Sequence, residues 1–540
     1  RVFIGGILFA EWSLQDGPKI VGNTFNSPRN PYGIHSDKHL ITFDNTGEDP
    51  IMYICSDGGV ARTTTPELDQ YKNISTNLST TQFFGIAADV RGRILGGTQD
   101  NNTLLITGES YPRKIAESVI SGDGFECAIS AYNPNYMFGE SQYGNLRRSI
   151  TAGSSFESMW DNRISSSFAS AQRPTGYFNN PFTLWENSAV IDSIETFGRR
   201  TSDDSIANAR IFFATNDGIW MCKNAYGKPH DPTGPKEGSI RWFRVSNLRR
   251  VHYMKPSKDG ESLFVTTNSG RIYRVDNLLT TQFDTISLPT NNQIAANLTT
   301  TEMSQGMGLS SSRTVTSIAI DPENPNRIVA TARNYGNTNY VYISENAMDA
   351  SPTWTSIQGN LPRFPVYHAL ISIKNPDVII LGTEFGIWAT NNGRSANPTW
   401  AEAADGIDSD MPFPKVPVFD LVQVESNSST GPRIYAGTHG MGIWETKSML
   451  TSVRPNNNNP DTRIINAYPN PANSFVNIDA EIKGSYSLKV YSLTGNVVYQ
   501  TKGSNSKTVQ ISTSEWKSGN YFVEILGNNT KITSKIIVQH

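Results

Sequence analysis

The chain has 540 residues, more than one ordinary core accommodates, so it holds roughly two to four units or one long repeat array. Its 46 Lys and Arg against 49 Asp and Glu exclude an overall basic field for nucleic acid, and its 18% charged and 10% aromatic content fits a turn-rich β protein. No apolar run approaches the roughly 20 residues that span a bilayer, and three scattered cysteines, Cys55, Cys127 and Cys222, make neither a complete disulfide framework nor a metal-site spacing.

The first residues, Arg1-Val-Phe-Ile-Gly-Gly-Ile, carry neither a methionine nor a signal-peptide pattern and read directly as a strand, so an amino-terminal part of the precursor is expected to be missing. One pattern then recurs: an apolar strand, a Gly-bearing turn and a second strand. It begins at Val2, Met52, Arg93, Tyr136, Ile211, Leu263, Arg327, Ile379 and Arg433. These nine copies recur about every 49 residues, the spacing of propeller blades.

One unit is legible in full. Val315–Ile320 alternates and ends in the turn Asp321-Pro-Glu-Asn-Pro, and strands follow at 327–332, 340–344 and 354–357. A lone four-stranded sheet cannot cover both its faces, so such units stack radially and close on themselves. Nine copies imply either one large ring or a seven-bladed ring with the remnant of another. A set of separate sandwiches is the alternative, but sandwiches do not repeat one hairpin at a near-constant interval.

The segments HSDKHLITFDN, IMYICSDGGVARTT, TTQFFGIAAD, ILGGTQDN and GDGFECAIS resemble the sortilin-like, Asp-box-containing propellers, a group that includes xyloglucanase-type glycoside hydrolases and bacterial surface proteins. The resemblance covers residues 1–447. Its Asp-boxes are degraded here: the segments starting at Ser13 and Ser149 lack the Asp.

In a propeller, the turns between strands two and three and the segments entering strand one share a rim. Asp57, Asp100, Asp217, Glu384 and His439 fall in such turns, and alignment of the entering segments sets His35 level with Asp123 and His39 level with Asp420. His35, Asp37 and His39 alternate, which on an extended segment puts two imidazoles and a carboxylate on one face, a donor set suited to zinc or another transition metal; the same residues could equally line the channel mouth. Asp57 and Asp217 sit in Asp-Gly turns, where a short carboxylate caps its own backbone. Asp100 and Asp123 could act as acid and base on a glycosidic bond if their separation suits one of the two stereochemical routes. The resembled hydrolases need a cleft between two propellers, which leaves catalysis open. No cofactor is expected. Trp220, Trp388 and Trp444 recur after Gly-Ile or Gly-Met-Gly-Ile and read as packing between blades, whereas the long interval from Phe156 to Ala209, with Trp160, Trp185, Tyr177 and Phe178, reads as a partner-binding excursion.

Residues 448–463 collect Pro and Asn without apolar periodicity and read as a linker. Beyond it the repeat stops, and short alternating strands at 474–480, 485–493, 496–502, 508–512, 521–526 and 530–538 predict a small Ig-like β-sandwich over 464–540. Tyr468-Pro469-Asn470-Pro471, Leu493-Thr-Gly495, Gly519-x-Tyr521 and Lys535-Ile-Ile-Val resemble, in order, the type A carboxy-terminal sorting domain of the type IX secretion system of Bacteroidota. That resemblance implies recognition by the translocon's outer-membrane shuttle barrel and passage to the cell surface, with the domain either cleaved or retained on the secretion or gliding machinery. Many relatives end in Lys or Arg where this chain has Gln539-His540.

The expectation is therefore an all-β chain: a β-propeller of four-stranded blades, a linker and a sorting domain. It would act as a secreted or surface partner-binding protein, with other surface proteins or polysaccharide at the propeller rim. A secreted glycoside hydrolase of xyloglucanase or sialidase-like type is the alternative.

Overall fold

Repeated hairpins bury both faces only by stacking on copies of themselves, and they do so in the computed structural model. It describes residues 2–6, 9–15, 17–20, 34–65, 71–75, 78, 80–107, 115–159, 177–187, 208–227, 242–281, 294–402, 413–425, 432–446, 466–492, 497–527 and 531–540. The chain divides into two compact units, Arg1–Val453 and Arg454–His540. No helix among the described residues is long and apolar enough to cross a membrane. The proposed linker, Trp160 and most of the excursion between Phe156 and Ala209 lie outside the described residues.

In the first unit, seven consecutive antiparallel sheets begin with the strands Phe83–Ala88, Gly124–Ile129, Phe182–Asn187, Val251–Pro256, Val315–Ile320, Val366–Ile371 and Val418–Val424. They are called sheets 1 to 7. Among the described residues, sheets 1 to 6 have four strands and sheet 7 has three. Each first strand packs on the first strand of the next sheet, and that of sheet 7 packs on that of sheet 1, so the arrangement is a closed, propeller-like ring. The interval from Phe156 to Ala209 is not a single excursion, because it contains the first strand of sheet 3, Phe182–Asn187.

Apolar alternation explains the packing. Second strands such as Ile94–Thr98, Ile328–Ala332 and Ile379–Thr383 are buried along their whole length because a neighbouring sheet covers each face. An apolar cluster fills every junction. Phe138 and Trp220 join sheets 2 and 3, and Phe83, Ile86 and Tyr435 join sheets 1 and 7. The small residue of the repeated Gly-Thr ending has a steric role: a Cβ on Gly97 would stand 2.0 Å from the carbonyl oxygen of Phe125 in sheet 2.

Arginines, half-buried in sheet 1 and buried in sheets 2 to 5, fasten each of these sheets to its successor. Arg93 donates to Pro134 O at 2.7 Å, Arg148 to Ala225 O at 2.6 Å and Arg210 to Leu278 O at 2.9 Å. Arg274 donates to Asp349 O at 3.1 Å and Arg327 to Pro376 O at 2.8 Å. Arg327 also pairs at 3.0 Å with Asp321, both side chains fully buried. Asp321 in turn accepts from Glu323 N, so the predicted Asp-Pro turn both folds its own backbone and anchors the arginine.

The two preceding copies of the repeat form separate sheets, Val2–Gly5 to Gly17–Ile20 and Lys38–Asp44 to Lys72–Asn73. Of the two arrangements nine copies allow, the ring therefore has seven sheets, with two more beside it. Lys38–Asp44 holds the place in its sheet that Val315–Ile320 holds in sheet 5, yet it is mostly exposed whereas Val315–Ile320 is mostly buried.

In the second unit, Asn466–Tyr468, Phe475–Ser492, Val497–Ser512, Gly519–Gly527 and Lys531–Val538 hydrogen-bond into one sheet. Four of the short strands read from sequence are thus two long ones. Polar residues interrupt the alternation around Gly484 and Gly503, but backbone pairing continues through register shifts between Asp479 and Ser485. Val476, Ile478, Leu488, Val490, Val523 and Ile536 share one core.

Candidate functional site

The first strands of six ring sheets slip register at the same place. The irregularities lie at Phe83/Gly85, Gly124/Cys127, Val251/Tyr253, Val315/Ser317, Val366/His368 and Val418/Asp420. A bulge adds an unpaired residue and re-aims its side chain. The residues so placed are Phe84, Phe125, His252, Thr316, Tyr367 and Phe419.

Four of these make a continuous aromatic collar. Ring centroids are 4.7 Å apart for Tyr367 and Phe419, 5.8 Å for Phe419 and Phe84, and 5.5 Å for Phe84 and Phe125. Phe178 extends the collar from Phe125 at 5.3 Å, and Tyr143 from Phe178 at 5.7 Å. His439 meets Phe419 at 5.1 Å. Phe178 is the described part of the expected excursion that reaches this rim. The collar was not anticipated from the sequence, although an aromatic precedes Gly85, Glu126, His368 and Asp420 at one repeat position.

Polar groups follow deeper along these strands. Asp420 lies 2.8 Å from His368 Nδ1 and accepts from Ile86 N at 2.8 Å, so one carboxylate ties together sheets 6, 7 and 1. Burial, with Asp420 nearby, pushes Glu126 up to about 8, and burial beside Arg333 pulls His252 down to about 3. The Glu384 carboxylate accepts from Tyr367 Oη. Arg333, half-buried on the turn of sheet 5, has no side-chain hydrogen bond or ion pair among the described residues, and burial lowers its pKa.

The expected metal face does not form as read. Strand pairing begins only at Lys38, and Asp37 has a φ of 56°, so His35, Asp37 and His39 do not alternate along one extended segment. His35 lies with Nε2 2.8 Å from Asp100 O and Nδ1 2.9 Å from Ser36 O, and its ring packs where a Gly58 Cβ would stand. It joins the Lys38–Asn73 sheet to the turn of sheet 1. His39 is exposed and meets Asp57 at 2.6 Å. By pairing register His39 is level with Phe419 rather than Asp420, and Asp37 rather than His35 is level with Asp123. The carboxylates brought together are those of Asp37, Asp57 and Asp100, with ligand atoms within 4.8 Å of one another, a group among the described residues that could hold a cation.

Asp100 and Asp123 are direct neighbours. Asp123 accepts from Asp100 N at 2.6 Å with one oxygen and from Gln142 Nε2 at 2.6 Å with the other. Burial and the charges of Asp123 and Asp57 raise Asp100 to about 6. The Asp123 carboxylate is thus held on the Asp100 backbone and on Gln142 rather than left free to act as an acid or base. Of the other turn residues, Asp217 N is held by Thr215. Trp220 is buried, and Trp388 and Trp444 lie against Phe364 and Phe413, at 5.9 and 5.3 Å. Trp185 is buried too and donates to Lys258 O.

In the second unit, the expected sorting residues gather where the chain ends. Asn470 accepts from Ile537 N at 2.8 Å, while Ala472, next to Pro471, donates to Ile537 O and accepts from Gln539 N. Tyr468 is half exposed and precedes Pro469. Gly519 opens a strand opposite Val538, and Tyr521 packs on Trp516 at 4.9 Å and donates to Lys517 O at 2.8 Å. Lys535 pairs by backbone with Phe522; Gly495 lies outside the described residues.

Among curated proteins, none matches the sequence. Many solved structures resemble the chain, two of them as follows. One is PorZ, described as an essential bacterial surface component of the type-IX secretion system of human oral-microbiomic Porphyromonas gingivalis, with 13% identity, 100% of this chain and 75% of that chain covered, and a TM-score of 0.45. The other is the extracellular domain of the hybrid two component system BT3049 from B. thetaiotaomicron, with 11% identity, 99% and 66% coverage and a TM-score of 0.41. Residues 466–539 match the family described as the secretion system C-terminal sorting domain, and the end of the chain is a sorting domain of type IX secretion.

Proposed function

We propose that this protein is a partner-binding component of the cell surface, carried out by type IX secretion and engaging its partner at the propeller rim. The sorting domain at 466–539 carries the reading, because such a domain marks its cargo for export to the surface or beyond. The outer-membrane shuttle barrel is its expected receptor, and retention on the secretion or gliding machinery would keep the ring at the surface. In this reading the bent long hairpin of the second unit folds as an Ig-like sandwich.

The ring is of the sortilin-like, Asp-box kind in this reading, with Asn in place of Asp. Asn346 Oδ1 accepts from Thr353 N at 2.8 Å ahead of Trp354, and Asn392 Oδ1 accepts from Thr399 N at 3.0 Å ahead of Trp400. These turns fasten outer strands and leave the rim free to bind. Binding is favoured over glycoside hydrolysis because Asp123 spends both oxygens on holding turns together.

Deleting 464–540 from the full chain in a host with a working type IX system tests the proposal. Protease added to intact cells should degrade the full-length protein and spare the truncated one. Equal degradation of both would overturn it.

A further inference from the structure

We propose that the aromatic collar receives a polypeptide segment that inserts a large apolar side chain against Tyr367, Phe419 and Phe84, with the buried Phe125 behind them, and sets a carboxylate on Arg333. This rests on reading the rim as the partner-binding face, and it names the partner's chemistry.

The collar is not a demand of the backbone. The same bulge carries His252 in sheet 4 and Thr316 in sheet 5, so the four rings of sheets 6, 7, 1 and 2 exceed what the fold requires. Around them, Tyr143 is 52% exposed, Phe178 48%, Tyr335 60% and Phe385 46%, an unusual display of large apolar groups on one rim. Tyr and Arg are among the residue types that concentrate binding energy in protein–protein interfaces, and Phe is enriched there.

Ring geometry separates a polypeptide from a glycan. A sugar stacks on a free aromatic face. Here Tyr367 and Phe419 meet edge to face at 80°, Phe419 and Phe84 stack at 22°, and Phe84 and Phe125 tilt at 52°, while Phe178 meets Phe125 at 75° and Tyr143 at 80°. Stacked and edge-to-face contacts alike set ring faces against neighbouring rings and leave an apolar wall, which suits an inserted side chain.

Arg333 supplies the charge. Tyr367, at one end of the collar, and His252 of sheet 4 are the titratable groups that act on it. The neighbouring carboxylate, Glu384, is already engaged by Tyr367. A half-buried guanidinium that has no counter-charge among the described residues is poised for a carboxylate from outside.

Fluorescence anisotropy with the purified full chain and labelled peptide pools tests this. One pool has a fixed Glu two residues from a fixed Phe with random flanks; two matched pools replace Glu with Lys or Phe with Ser. The first pool should bind, and each matched pool should bind about ten-fold more weakly or less. Arg333→Gln should weaken the first pool about ten-fold and Arg333→Lys less, because Lys keeps the charge but loses the planar fork. Tyr143→Ser with Phe178→Ser should weaken it several-fold with an unchanged melting temperature. Equal binding of the Lys pool, no binding of any pool, or binding only of a panel of neutral and acidic oligosaccharides would overturn the proposal. The purified chain is used, so failure here leaves the export reading intact, and failure of export leaves this result intact.

Discussion

The two units of this chain are specified in different ways. The ring is written as a repeat: the same hairpin, the same small residue against the next sheet and a buried arginine recur, so each sheet is individually weak evidence and jointly strong. The sorting unit is written once, in a few short motifs, and those around Asn470 and Gly519 meet the last strand. A repeat therefore reveals architecture and leaves the ligand open, whereas a motif reveals a role and leaves strand boundaries open.

If the ring depends on fastening between sheets, its buried arginines should be its most sensitive points. Arg327→Met strands the buried Asp321 carboxylate and should cost about 3–5 kcal/mol, read as a lowered denaturation midpoint. A cost below about 1 kcal/mol would mean that apolar packing alone holds the sheets together. In the sorting unit the comparable point is a core ring. Tyr521→Ala should cost roughly 3 kcal/mol and lower the amount of protein reaching the surface. Unchanged export would separate the fold of this unit from its role. Tyr521→Phe loses only the bond to Lys517 O and should cost about 1 kcal/mol.

Asp100 gives a smaller, pH-dependent contrast. Its folded pKa, about 6, lies above its ordinary value of 3.8, so the folded state holds the extra proton and stability falls as pH rises through that window. Asp100→Asn should flatten the decline in melting temperature between pH 4 and pH 6. An unaltered slope would contradict a raised Asp100 pKa.

Much of the ring was legible because second strands repeat a local apolar pattern, and all nine hairpins mark real strands. Which copies close the ring was not legible. It depends on contacts such as Asp420 with Ile86 N, 334 residues apart, which no local pattern encodes. The collar escaped notice because a bulge is a backbone event, and Phe84 or Phe419 reads as one more core residue until the register slips. His35, Asp37 and His39 misled because alternation was assumed where the chain makes a bend, with Asp37 in the left-handed region. In the sorting unit, Tyr468, Gly519 and Tyr521 were found by motif, while the continuity of Phe475–Ser492 was hidden by polar residues that interrupt alternation without interrupting pairing.

The account depends most on the carboxy-terminal unit acting as an address by itself. Residues 464–540 fused behind a periplasmic fluorescent reporter, in a host with an intact type IX machine, should place the reporter where antibody can reach it on unbroken cells. Fluorescence confined within the envelope of that same host would contradict it.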